Sequence, residues 1–228
     1  MQLLLFAVAP VLAVIFYIYF QDKHEKEPFG LLFKSFLLGA FLSIIIVLVL
    51  YLFTGKLLPL TDKFSILQQA VQAFIVVALA EEFSKYIFVR YYAQPKKEFN
   101  EPYDGIIYAV MVSMGFACTE NILYVLEGGY QVALLRAITA VPAHATFGIL
   151  MGYFMGKAKF SDNRIKLNLM GLALATLFHG AYDFFLFINF IPGIAIGAFI
   201  SLLIGLILSK KAIRRHQNDS NFNPDNLE

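Results

Sequence analysis

Six side chains able to hold or move a proton interrupt stretches that are otherwise apolar enough to cross a bilayer. They are Glu81 and Glu82, then Glu120, His144, and the pair His179 and Asp183. A carboxylate at the centre of a membrane helix costs roughly 2.5–3.5 kcal/mol on insertion scales, and Leu would pack as well, so such residues mark a site. Brought together, they admit two kinds of chemistry. In one, a glutamate takes a proton from water while histidines stabilise an oxyanion or protonate a leaving amine. In the other, His144, His179 and Glu120 hold Zn²⁺, and a further glutamate takes the proton. Either scheme hydrolyses an amide bond inside a membrane.

Local spacing sharpens some roles. Glu81 and Glu82 are neighbours, so on a helix their side chains diverge by about 100°. Lys85 stands four residues after Glu81, the favoured ion-pair spacing, which neutralises one glutamate and leaves the other open. Spacing does not say which of the two does chemistry. Glu120, followed by Asn121 and Tyr124, has no basic residue within a turn, so its cationic partner must come from another helix. Asp183, four residues after His179, can fix that imidazole. Lys85, Asn121 and Asp183 are thus expected to support the catalytic set Glu81, Glu82, Glu120, His144 and His179. His24 and His216 read as solvated, and Pro142, which removes one backbone bond just before His144, reads either as a kink or as an ordinary membrane-helix proline. The single Cys118 excludes an internal disulfide and a Cys-rich metal site.

The elements that carry these residues are membrane helices. Hydrophobic residues make up 59% of the 228 and charged residues only 15%, below the soluble share of about 25%. Apolar runs long enough to span the bilayer recur at about 2–20, 30–53, 68–90, 104–126, 133–156, 168–187 and 191–209. The expected fold is all-α, a polytopic transmembrane bundle of about seven spans. Residues 1–209 form one membrane domain, and 210–228 form a polar, disordered cytoplasmic tail. The stretch 94–102 reads as a plain polar loop. Alternate connections and the tail carry thirteen basic residues (Lys23, Lys26, Arg90, Lys96 and Lys97 among them), against Lys56 and Lys63 on the other side. The positive-inside rule then puts the N-terminus outside and the C-terminus in the cytoplasm.

Signatures of other intramembrane proteases are missing. There is no His-Glu-x-x-His zinc motif, no serine-protease pattern, and no Gly-x-Gly-Asp beside the Tyr-Asp pairs at 103–104 and 182–183. The chain does show Glu81-Glu82-x-x-Lys85, Phe116-x-x-x-Glu120-Asn121, His144-x-x-x-Gly148 and His179-x-x-x-Asp183, in order and in successive spans. Over about residues 70–187 this resembles the PrsW family, itself distantly similar to the CAAX prenyl endopeptidases and bacteriocin-immunity proteins. In that wider group the elements are Glu-Glu-x-x-x-Arg, Phe-x-x-x-His and His-x-x-x-Asn, from which Lys85, Glu120 and Asp183 depart. The resemblance implies a multi-pass protease of the bacterial cytoplasmic membrane. It would make the first cut in a single-pass anti-sigma factor, with no nucleic-acid partner. Two rivals stand beside it: a CAAX-like protease or immunity protein, and a proton- or cation-coupled transporter, against which the lack of an internal repeat counts.

Overall fold

A computed structural model describes residues 2–220 and 222–226. Among these, seven long helices account for the architecture, and there is no strand. They are α1 (Gln2–Gln21), α2 (Phe29–Leu57), α3 (Ile66–Ala93), α4 (Pro102–Ile138), α5 (Ala140–Lys159), α6 (Arg164–Phe187) and α7 (Ile196–Asn218). By length and hydropathy six segments qualify as membrane spans, because α4 and α5 run together as Pro102–Lys159. A straight helix of those 58 residues would be about 87 Å long, nearly three times the hydrocarbon thickness. It folds back instead. Gly105 meets Gly152 and Gly156, Ser113 Oγ donates to the His144 carbonyl at 2.7 Å, and Glu120 meets His144, so the two helices pack antiparallel.

This α4–α5 hairpin is the centre of the molecule. Its most hydrophobic window is 78% buried, against 17% for α1. The outer helices present Leu, Ile and Phe to the lipid, as Phe41, Ile45, Leu48, Leu52 and Phe53 do on α2. Small residues let the hairpin close: Gly148, Gly152 and Gly156 recur every fourth position along one face of α5, against Gly105 and Ala109 of α4.

Several boundaries differ from those expected. The fold-back sits at Gly129, whose φ of 70° and ψ of −157° suit only glycine, and a short helical stretch, 130–138, follows before a second break at Thr139. Pro142 therefore makes no kink. It falls in the first turn of α5, where backbone N–H groups lack an intrahelical acceptor in any case; the first such bond joins Ala143 N to the Thr139 carbonyl at 2.9 Å. α7 begins at Ile196 rather than 191, after a turn at Gly193 with φ of 77°.

Nor does order stop at Lys210. α7 continues through Asn218, and Ala212, Ile213, His216 and Gln217 are buried. His216 is not solvated: its Nε2 lies 2.8 Å from the Tyr153 carbonyl. Pro224–Asn226 form a short turn, and of the expected disordered tail Asn221, Leu227 and Glu228 lie outside the described residues. The stretch 94–102 is no plain loop either. Gln94, Phe99 and Glu101 are buried, and Gln94 ties α3 to Asn168 and the Met155 carbonyl.

Candidate active site

α3 reaches the middle of the bundle in an unusual form. Its residues Gln72–Leu79 are wound as π-helix, and α-helical winding resumes at Ala80, just before the glutamates. Such segments recur at functional sites. Glu81, Glu82 and Lys85 then occupy one turn, all buried. Lys85 Nζ bonds Glu82 Oε1 at 2.7 Å and stands 3.6 Å from Glu81 Oε2. The pair expected from four-residue spacing is thus the longer of the two, and neither glutamate is left without the ammonium. Lys85 also lies 4.3 Å from the centre of the Phe116 ring and 3.3 Å from His144 Nδ1.

Two further helices complete the constellation. On α6, His179 places Nδ1 2.8 Å from Glu82 Oε1 and Nε2 3.3 Å from Asp183 Oδ2 and 3.9 Å from Glu81 Oε2. The Phe147 ring stacks on its imidazole at 4.7 Å. On α5, His144 directs Nε2 at Glu120 Oε2, 2.9 Å away. A cavity of about 510 Å³ opens beside these groups, lined by Tyr51, Glu81, Glu120, Arg136, His144 and His179 among others. Glu82, with no exposed surface, sits behind it.

One ligand atom from each of Glu81, Glu82, His144 and His179 lies within 4.8 Å of the other three. Oε2 of Glu81 and Oε2 of Glu82 are buried without a hydrogen-bond partner. Two orphaned carboxylate oxygens beside two imidazoles make a donor set that suits a divalent transition-metal ion, so the residues fit a metal. The grouping differs from the expected shell of His144, His179 and Glu120. Glu120 stands outside it, its Oε2 taken by His144 and by Arg136. Asn121 faces away from the cavity, donating to the Ala7 carbonyl at 2.7 Å and accepting from Arg136 Nε at 2.7 Å. Cys118 is packed into the core around α1 and α4.

Two residues at this site escape a reading of the sequence. Arg136 bonds Glu120 at 2.5 Å, and Tyr51 donates to Glu81 Oε1 at 3.0 Å. Arg136 had a signal, an arginine inside an expected span with no assigned partner, while Glu120 lacked a cation. Tyr51 had none, because a tyrosine near a span end reads as an interfacial residue.

Comparison with known proteins bears on this arrangement directly. A family model described as PrsW family intramembrane metalloprotease matches residues 27–209. The chain is 37% identical over 204 residues to Protease PrsW of Geobacillus kaustophilus, covering 89% of this chain and 88% of that protein. It is 41% identical over 180 residues to Protease PrsW of Oceanobacillus iheyensis (78% and 80% covered), and 35% identical over 181 residues to that of Bacillus subtilis (78% and 80%). No solved structure matches it. With paired glutamates and two histidines gathered at one cavity of a helical membrane bundle, and a family match over most of its length, this chain belongs to the PrsW family of intramembrane metalloproteases.

Proposed function

We propose that the chain is an intramembrane endopeptidase in which Glu81 activates water to cut a peptide bond of a single-pass membrane protein. The observation that carries this reading is the asymmetry of the two glutamates. Oε2 of each is free of hydrogen bonds, but Glu81 lines the cavity, whereas Glu82 is held behind it by Lys85 and His179 on its other oxygen. A substrate helix must unwind locally before its amide can enter, and Tyr51, Gln72 and Thr139 supply polar groups along the cavity for the freed backbone.

Within that cavity Glu81 Oε2 accepts the proton of the attacking water. The Lys85 ammonium, 3.6 Å from that oxygen and buried behind the cavity, balances the charge of the two glutamates. Glu81 then passes the proton it took from water to the leaving amine, while His179 is oriented by Glu82 at one nitrogen and by Asp183 at the other. Glu82, His144 and His179 would hold a metal, three protein donors being the usual complement of a catalytic zinc. Bound Zn²⁺ would supply Lewis acidity toward the scissile carbonyl and the water. The assignment of the substrate as an anti-sigma factor, cut first by this enzyme, rests on the resemblance of the four sequence elements to the PrsW family.

Purified protein in detergent, given single-pass test substrates, is expected to cleave within or beside their membrane segment. Glu81→Gln is expected to reduce the rate by about 10²–10⁴-fold, the usual contribution of a general base. Undiminished cutting by Glu81→Gln would remove Glu81 from the role. Substrates left whole by native protein that moves cations across proteoliposomes would make it a carrier.

A further inference from the structure

Arg136 is a cation inside the bundle that the hydrolytic scheme above does not use. It sits on the 130–138 stretch between the breaks at Gly129 and Thr139. Its neighbours Leu134 and Ile138 are exposed toward lipid, while Arg136, beside Leu135, lines the cavity. There it makes a two-pronged attachment. Nη2 meets Glu120 Oε2 at 2.5 Å and Nε donates to Asn121 Oδ1 at 2.7 Å, with the guanidinium 4.3 Å over the Tyr124 ring. Asn121 is in turn fixed by its own bond to the Ala7 carbonyl of α1. An arginine that only offset the charge of Glu120 would have no need of the second prong.

The attachment has a consequence at His144. A carboxylate held by a guanidinium can only accept, so the 2.9 Å contact between Glu120 Oε2 and His144 Nε2 requires a hydrogen on Nε2. On the opposite edge of the ring, the Lys85 ammonium has no lone pair, so the 3.3 Å contact with Nδ1 requires that nitrogen to be bare. Both edges call for one tautomer. The geometry points to Arg136 as a positioning residue: acting through Glu120, it holds His144 with its Nδ1 lone pair turned toward Lys85 and Glu82. That role rests on the reading of the Glu81–His179 constellation as a hydrolytic site, and it touches no reacting atom itself.

Nitrogen NMR of resting protein with isotope-labelled histidine tests the inference, with His144 assigned by the signals lost in His144→Gln. Native protein stripped of metal by a chelator is expected to show one protonated Nε2 and one bare Nδ1 for His144. Arg136→Met is expected to mix the tautomers and to lower kcat about 10–100-fold with KM unchanged, the usual cost of losing an orienting partner. Arg136→Lys, which keeps the buried charge without the fork and serves as the second variant should Arg136→Met fail to fold, is expected to recover only part of that loss. Native His144 signals in Arg136→Met, or full activity in Arg136→Lys, would overturn the proposal. Because the signals are read without substrate, a protein that cuts nothing would sink the hydrolytic reading and leave the tautomer result standing.

Discussion

A carboxylate works as a base only where its free oxygen can meet water, and in that respect Glu81, which lines the cavity, and Glu82, which does not, are not equivalent. Glu82 Oε1 takes bonds from both Lys85 and His179, at 2.7 and 2.8 Å. Removing its charge therefore strips a fully buried lysine of its nearest partner, and breaking a buried ion pair from one side costs about 3–5 kcal/mol. Glu82→Gln is accordingly expected to lose both activity and thermal stability, whereas Glu81→Gln, whose oxygen stands farther from Lys85, loses activity at nearly native melting temperature. Equal melting temperatures for the two variants would contradict the division of roles. The sequence shows which residues are out of place in hydrocarbon, so Glu81, Glu82, Glu120, His144, His179 and Asp183 stand out on polarity alone. It does not show which polar atom meets which. Arg136 is remote from Glu120 along the chain, and only the fold-back at Gly129 brings them together.

At the scale of elements, hydropathy locates the spans because each must cover about 30 Å of hydrocarbon, whatever its neighbours do. It carries no phase for a helix that is apolar all round. The π-wound Gln72–Leu79, which sets the angle at which Glu81 and Glu82 enter the bundle, therefore leaves no mark in the residue pattern. The α4–α5 contact is different, since small residues at every fourth position do announce a close approach. A methyl group added at Gly152 would lie 2.3 Å from the Gly105 carbonyl oxygen, too near for any side chain. The two helices would have to part, and with them Glu120 and His144, which bond across the same interface. Gly152→Val is expected to lower both the melting temperature and kcat, although no atom of Gly152 touches the cavity. A variant with native stability and native kcat would mean that the hairpin can yield without moving the site.

For the whole molecule, the most exacting packing problem lies away from the cavity, at the end where α1, the 22–28 connection, the start of α4 and the end of α7 meet. Asp22, Glu27, Glu101 and Asp104 are all buried there. Tyr108 donates to Glu27 and Ser220 to Glu101, yet both oxygens of Asp22 lack a partner. Among the described residues no lysine or arginine side chain forms a salt bridge with any of the four; Lys26 spends its ammonium on the backbone carbonyls of Tyr19 and Asp22. Burial, reinforced by Glu101, pushes the Asp22 carboxyl up from 3.8 to about 7. Burial and then the neighbouring Asp104 push Glu27 up to about 10. Both groups bind protons more tightly in the folded chain than in the unfolded one. Their contribution to stability is complete below the unfolded values near pH 4, and is lost as pH rises through about 7 for Asp22 and toward about 10 for Glu27. The melting temperature in detergent is thus expected to fall steadily between about pH 5 and about pH 9. Asp22→Asn, which keeps the shape and removes the titration, is expected to lessen the slope only below about pH 7, and Glu27→Gln to lessen it across the whole range. A melting temperature that holds constant or climbs over this range would mean that something other than protons, such as a bound cation, neutralises the buried acids.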